Sequence, residues 1–287
     1  MCVIDGRLPL SQAQPKSSTR QSVPKIRARK GGEPIVCVTA YTRAIAEIAG
    51  PLVDLFIVGD SLASVIYGHD TTLPISLETM IAHAQAVMRA RPKALVVVDL
   101  PFGSYEASKE QALQSAIRVL KESGADAVKL EGGAAMAETV GFLTARAIPV
   151  MGHIGLLPQS TRVLGGYALA GRDKAKWPAL VEDAKAVEAA GAFALVIEKT
   201  VEELAAEITR STAVPTIGIG ASAACDGQVL VVDDLLGLTE STARFVRRYA
   251  NLREIVQKAV STYAEDVRKR RFPATEETYP ARTNSED

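Results

Sequence analysis

Ala94-Leu-Val-Val-Val-Asp99 is the stretch on which the fold is read. Five apolar residues, three of them β-branched, run without a polar break and end on an acid. A segment apolar on both faces is a strand of a parallel sheet covered by helices on either side. The same pattern recurs. Leu55-Phe-Ile-Val-Gly closes on Asp60, Ala127-Val-Lys-Leu on Glu131, and Phe193-Ala-Leu-Val-Ile on Glu198. A carboxylate at the C-terminal lip of several such strands surrounds one mouth with negative oxygens. Carboxylates crowd in this way when a cation holds them or when one of them moves protons. The pattern points to an enzyme.

Further strands begin near Ile35, Pro149, Pro215 and Gln228, which brings the total to eight. Helical periodicity fills most of the gaps. Leu113, Ile117 and Leu120 recur at helical spacing between Ser108, which forms a capping box with Gln111, and a closing Gly124. Leu180, Ala184 and Val187 mark a helix closed by Gly191, and Thr200 with Glu203 reads as a second capping box. Strand and helix alternating eight times give an α/β fold, a (β/α)8 TIM barrel in a single domain. An open doubly wound sheet is the runner-up, but the glycine-rich first βα turn it usually carries is missing. Residues 1–24, rich in Ser, Gln, Pro and Arg, read as a flexible extension. Residues 25–273 are the catalytic barrel, and 274–287 a polar tail.

Length and composition agree with this reading. The chain has 287 residues, 47% of them hydrophobic, with 33 basic and 33 acidic side chains. Zero formal charge leaves no field to hold nucleic acid, and Arg268-Lys-Arg-Arg271 reads as a solvated helix end. No run approaches the roughly 20 apolar residues of a membrane span. Cys2, Cys37 and Cys225 are too scattered for a disulfide framework or a thiolate zinc site, which fits a reducing cytoplasm.

Catalysis in such a barrel sits at the C-terminal ends of the strands. Asp60, Asp99, Lys129, Glu131, His153 and Glu198 all fall there. Asp60 and Asp99 together suit Mg²⁺, which takes hard oxygens and often only one or two carboxylates; singly, each reads as a loop or helix cap. Lys129 and Glu131, two apart on one strand, share a face. They form either a buried ion pair or a site in which Lys129 meets an anionic substrate group and Glu131 approaches the metal. His153, between glycines, is a supporting site residue or a hydrogen-bonded structural one. Glu198 is placed to remove a carbon-bound proton. Gly218-Ile-Gly220 sits where many barrels bind phosphate, although tight packing explains it as well. The glycines at 165, 166 and 171 mark residues 156–172 as a candidate lid.

Several strings together resemble the ketopantoate hydroxymethyltransferase family. They are Ile57-Val-Gly-Asp-Ser-Leu62, Thr71-Thr-Leu-Pro74, Asp99-Leu-Pro-Phe-Gly-Ser-Tyr105 and Lys129-Leu-Glu-Gly-Gly133. Met151-Gly-His-Ile-Gly155, Pro158-Gln-Ser160, Leu164-Gly-Gly-Tyr167, Gly218-Ile-Gly-Ala221 and Asp226-Gly-Gln228 follow in order. Phe245-Val-Arg-Arg-Tyr-Ala250 looks like that family's closing helix.

The resemblance implies a barrel of the phosphoenolpyruvate/pyruvate type that binds Mg²⁺. The reaction it implies transfers a hydroxymethyl group from 5,10-methylenetetrahydrofolate to 3-methyl-2-oxobutanoate, the first step toward pantothenate. By position, it makes Asp60, Asp99 and Glu131 the metal set. Asp60, Ser61, Asp99 and Lys129 become the 2-oxo acid contacts, and Glu198 the proton acceptor. It further implies a large homo-oligomer, with a decamer favoured. Thr42, Ala63, Leu157, Lys199, Ser222 and Asp233 depart from the family pattern without touching those positions. The rival enzyme reading is a Mg²⁺-dependent 2-oxo acid lyase or mutase on the same barrel, but the Lys-x-Cys-Gly-His string of its lyases is missing. A non-catalytic scaffold would be expected to have lost the acids.

Overall fold

The computed structural model describes residues 20–240 and 243–280. Its eight strands are β1 (Ile35–Thr39), β2 (Leu55–Val58), β3 (Leu95–Asp99), β4 (Ala127–Glu131), β5 (Val150–Gly155), β6 (Ala194–Glu198), β7 (Thr216–Ile219) and β8 (Gly227–Leu230). Each lies parallel to the next, and β8 pairs back onto β1 to close the barrel. All eight expected strands are present, so the open-sheet alternative falls.

Period two along the strands explains how apolar runs can carry a polar site. Leu95 and Val97 on β3, Ala127 on β4, Met151 on β5 and Ala194 and Val196 on β6 belong to one buried cluster filling the barrel. Each strand's next inward position is an ionisable residue: Asp99, then Lys129 and Glu131, then His153, then Glu198. Register sets their heights. Asp99 pairs with Lys129, Glu131 with His153, and Gly155 with Glu198. The intervening residues, such as Val98, Leu130 and Ile197, are buried on the opposite face.

The helix Lys109–Ser123 begins where Ser108 Oγ accepts the Gln111 N–H at 3.1 Å and ends at Gly124, whose φ of 76° is left-handed. Only half of the expected box forms, because the Gln111 side chain accepts from Ala107 N–H instead. The buried strip of this helix is Ala112, Ser115, Ala116 and Val119, and the larger Leu113, Ile117 and Leu120 flank it. The second expected box does not form. The Thr200 hydroxyl donates to the carbonyl two residues back, Glu198 O, and Val201 takes the cap position of the helix Glu202–Ser211.

Residues 1–19 of the expected extension, Cys2 among them, lie outside the described residues. The helix Val23–Arg27 sets Ile26 into the same buried cluster as Ile35 and Phe193, near the strand starts. Cys37 and Cys225 are buried free thiols.

Contacts divide the chain into two compact units, Met1–Val232 with the barrel and Asp233–Asp287. In the second unit the stretch 245–250 is irregular rather than the expected closing helix. Its backbone is tied elsewhere: Tyr249 N–H donates to Leu235 O and Leu252 N–H to Leu236 O. The helix is Leu252–Arg268, followed by a solvated basic end where Arg271 pairs with Asp266 at 2.7 Å. No helix among the described residues is long and apolar enough to cross a membrane.

Candidate active site

Six residues from five strand ends meet at the C-terminal rim. Lys129 Nζ lies 3.0 Å from Asp99 Oδ2 and 3.3 Å from His153 Nδ1. Asp60 N–H donates to Asp99 Oδ2 at 3.1 Å, which ties the lip after β2 to the end of β3. His153 Nδ1 stands 3.5 Å from Glu131 Oε1, and its Nε2 faces Glu198 Oε2 at 3.3 Å without hydrogen-bond geometry. Asp60, Asp99, Lys129, Glu131 and His153 are all buried, whereas the Glu198 side chain keeps 18% of its surface exposed at the mouth. Ser61, beside Asp60, shares a 2.8 Å hydrogen bond with the Tyr41 hydroxyl. The buried partner of Lys129 is therefore Asp99 across the register pair, not Glu131 along its own strand.

Burial governs the charges. It pushes the Asp99 carboxyl up to about 6, despite the neighbouring Lys129 ammonium. Burial, and then the Glu131 carboxylate, also raise Asp60. For Lys129 burial works in the opposite direction, but Asp99, Asp60 and Glu131 outweigh it and hold the ammonium charged. His153 Nδ1 can accept from Lys129 or donate to Glu131, not both. Burial and Lys129 disfavour the imidazolium, yet its contacts with Glu131 and Glu198 bring it up to about 9.

Among the described residues no set of three or more His, Cys, Asp or Glu side chains is arranged to hold a metal ion as it stands. The expected trio is engaged elsewhere: Asp60 by Gln159, Asp99 by Lys129, and Glu131 by His153 and the Gln159 backbone. One oxygen remains. Asp99 Oδ1 is fully buried with no partner. A lone buried carboxylate oxygen, in a cluster of four acids against one lysine and one histidine, is the donor chemistry that a hard cation satisfies.

Sequence reasoning named neither Gln159 nor Tyr105 as a site residue, although both lie in the quoted strings. Gln159 Nε2 donates to Asp60 Oδ2 at 2.9 Å and to Leu100 O at 3.0 Å, and its backbone N–H donates to Glu131 Oε2 at 3.0 Å. The Tyr105 hydroxyl donates to Gln159 Oε1 at 2.6 Å and accepts from Glu131 N–H at 3.3 Å.

The candidate lid is tied to the barrel at both ends. Leu156 N–H donates to Glu198 O, and Ala170 bridges Thr200 in parallel. Lys199, in a left-handed conformation at φ 42°, donates from Nζ to Tyr167 O. Beneath the segment lies a cavity of about 430 Å³ lined by Gly155, Leu156, Leu164, Leu169 and Leu180 among others. Two of the departures find structural places. Thr42 caps the helix Arg43–Ala49 by accepting the Ile45 N–H, and Ser222 Oγ accepts the Ala224 N–H. Gly218 is explained by packing, since a Cβ there would sit 3.0 Å from Gln228 and 3.1 Å from Cys225 Sγ.

Solved structures show the same architecture. A phosphonopyruvate hydrolase superposes with a TM-score of 0.58 at 14% identity, covering 91% of this chain and 92% of its own. A 2,3-dimethylmalate lyase of the phosphoenolpyruvate mutase/isocitrate lyase superfamily gives 0.53 at 15%, covering 92% of each chain. At such identity the likeness shows the fold alone.

Sequence relatives are far nearer. A protein of Rhizobium rhizogenes named 3-methyl-2-oxobutanoate hydroxymethyltransferase is 56% identical over 261 residues, 91% of this chain and 96% of its own. One of the same name from Rhodospirillum centenum is 55% identical over 269 residues, covering 93% and 98%. The family model for ketopantoate hydroxymethyltransferase matches residues 20–275, a span that takes in every residue of the rim just described, and the chain belongs to that family.

Proposed function

We propose that this enzyme carries the one-carbon unit of 5,10-methylenetetrahydrofolate onto C3 of 3-methyl-2-oxobutanoate. The product is 2-dehydropantoate, at the entry to pantothenate synthesis. In this reading Asp60 and Asp99 hold Mg²⁺ with Glu131 at or near it, and a solved relative in fold was captured with oxalate and Mg²⁺. The observation that carries it is the charge imbalance. Asp60, Asp99, Glu131 and Glu198 face one lysine and one histidine in a pocket where five of the six side chains are buried. Such an excess is costly unless protons are shared or a divalent cation enters.

Bound there, Mg²⁺ would supply Lewis acidity to the chelating carboxylate and keto oxygens of a 2-oxo acid, an effect worth several kcal/mol. The protein's own groups do the rest. Lys129, held charged beside Asp99, meets the substrate carboxylate or the negative charge growing on the keto oxygen. Glu198, at the open edge of the cluster, removes the C3 proton. His153, between Glu131 and Glu198, supports the base as a charged neighbour. The carbon nucleophile then adds by one of two routes. It adds to the folate iminium, after which one water replaces the tetrahydrofolate nitrogen on the new carbon and leaves the hydroxyl. Or it adds to the formaldehyde that one water has already released from the folate, and the resulting alkoxide takes up a proton. Tetrahydrofolate departs on both routes. Residues 156–172 shield either electrophile from water. The lyase or mutase alternative rests on likeness of fold alone, whereas the hydroxymethyl transfer rests on relatives at more than half identity.

The test is to incubate the purified protein with 3-methyl-2-oxobutanoate, methylenetetrahydrofolate and Mg²⁺, with and without EDTA. Ketopantoate formed only without EDTA is expected. Formation undiminished by chelation would overturn the metal assignment, and no formation in either arm would overturn the reaction.

A further inference from the structure

We infer that Gln159 is a positioning residue that fixes both Asp60 and Glu131 for cation binding, with Tyr105 as the group that sets its orientation; this rests on the Mg²⁺ reading above. Gln159 is buried, and every hydrogen-bonding group on its side chain is used. Its two amide hydrogens go to Asp60 Oδ2 and Leu100 O, and its oxygen accepts from the Tyr105 hydroxyl.

This amide orientation is the one that all its neighbours can satisfy. Turned over, the amide oxygen would face a carboxylate oxygen and a carbonyl oxygen. Its NH₂ would meet a phenol already receiving the Glu131 N–H. Tyr105 therefore keeps the amide from turning, and the amide holds one oxygen of Asp60 as an acceptor.

The backbone closes the ring. Gln159 N–H donates to Glu131 Oε2, while Glu131 N–H donates to Tyr105, whose hydroxyl returns to Gln159. One residue thus restrains two acids from different strand ends. Partners of this kind orient metal ligands, and losing one costs roughly 10–100-fold in metal affinity. Gln159 also stands at the root of the segment 156–172, so the acids and the start of the candidate lid share an anchor.

The experiment measures Mg²⁺ binding directly by calorimetry, without substrate, for the unsubstituted protein, Gln159→Met, Tyr105→Phe and the double variant. Thermal melts without metal are recorded beside it. Expected is a loss of affinity of about 10–100-fold in Gln159→Met and a smaller loss in Tyr105→Phe. The double variant should lose less than the sum of the two single losses, because Tyr105 reaches Asp60 only through the Gln159 amide. A folded Gln159→Met with unchanged Mg²⁺ affinity, whatever its melting temperature, would overturn the inference. Losses that simply add would overturn the role given to Tyr105. If Gln159→Met does not fold, Tyr105→Phe decides alone, and unchanged affinity there overturns the proposal. No Mg²⁺ binding by the unsubstituted protein would remove the metal reading itself, a result distinguishable from the others.

Discussion

Lys129 Nζ and Asp99 Oδ2 stand 3.0 Å apart on neighbouring strands, at a register pair, with both side chains buried. Breaking one half of such a pair leaves the other charge uncompensated, which costs about 3–5 kcal/mol, whereas replacing both with apolar residues is often neutral. Lys129→Met should therefore destabilise the barrel by that amount in urea melts and abolish turnover. Lys129→Met with Asp99→Leu should recover most of the stability and none of the activity. If the double variant is no more stable than the single one, the pair is not what holds these charges.

Glu198 differs from the other acids in keeping part of its side chain at the surface of the mouth. In the proposed mechanism it is the base, and its proton transfer needs no one-carbon unit. Glu198→Gln should lower exchange of the C3 hydrogen of 3-methyl-2-oxobutanoate with deuterated water by at least about 100-fold, with folate omitted. Exchange at the unsubstituted rate would assign the proton to another group.

Gly155 sits at the base of the candidate lid with φ 92°. A Cβ built there would lie 2.4 Å from Glu198 O and 2.5 Å from Thr200 Oγ1. Gly155→Ala must move the backbone that carries Glu198, in addition to a strain cost of about 1–3 kcal/mol. A drop in kcat larger than any change in substrate KM is expected. Wild-type kcat would show that the Glu198 backbone has slack.

The strands were legible because burial on both faces leaves an unbroken apolar run, and their acids were legible because a charge cannot sit in that run except at its end. Asp60, Asp99, Glu131 and Glu198 were found by that logic, Lys129 by its spacing of two from Glu131 on one strand, and His153 by its place between glycines at a strand end. Gln159 and Tyr105 were not. Tyr105 lies in a loop and Gln159 in the one-turn 3-10 helix Pro158–Ser160, where no period marks an inward position, and only the folded backbone brings them onto Asp60 and Glu131. The missing cap at Thr200 and the irregular 245–250 segment were not legible either. At Thr200 the hydroxyl expected to accept a helix N–H instead donates to Glu198 O while Val201 takes the cap, and near 249 the backbone N–H groups go to the carbonyls of Leu235 and Leu236 rather than to a helix turn.

At the opposite end of the barrel from the acids, Asp226 links three segments. Its side chain, 5% exposed, accepts from Gly31 N–H, from the Thr216 N–H and hydroxyl, and from Lys30 Nζ at 2.9 Å. Burial alone would raise its pKa, but the bonds from Thr216, Gly31 and Lys30 prevail and lower it below the ordinary value. The sign of the pH effect follows. An acid that is more acidic when folded binds fewer protons than in the unfolded chain, so folding is favoured above the unfolded pKa of about 4. That contribution disappears as pH falls through the lower folded value. Asp226→Asn should therefore cost stability at pH 7, on the order of 1–3 kcal/mol for the charge-assisted bonds. It should also flatten the acid limb of a stability–pH curve below about pH 4. Parallel curves for the two proteins would show that Asp226 titrates alike in the folded and unfolded chain.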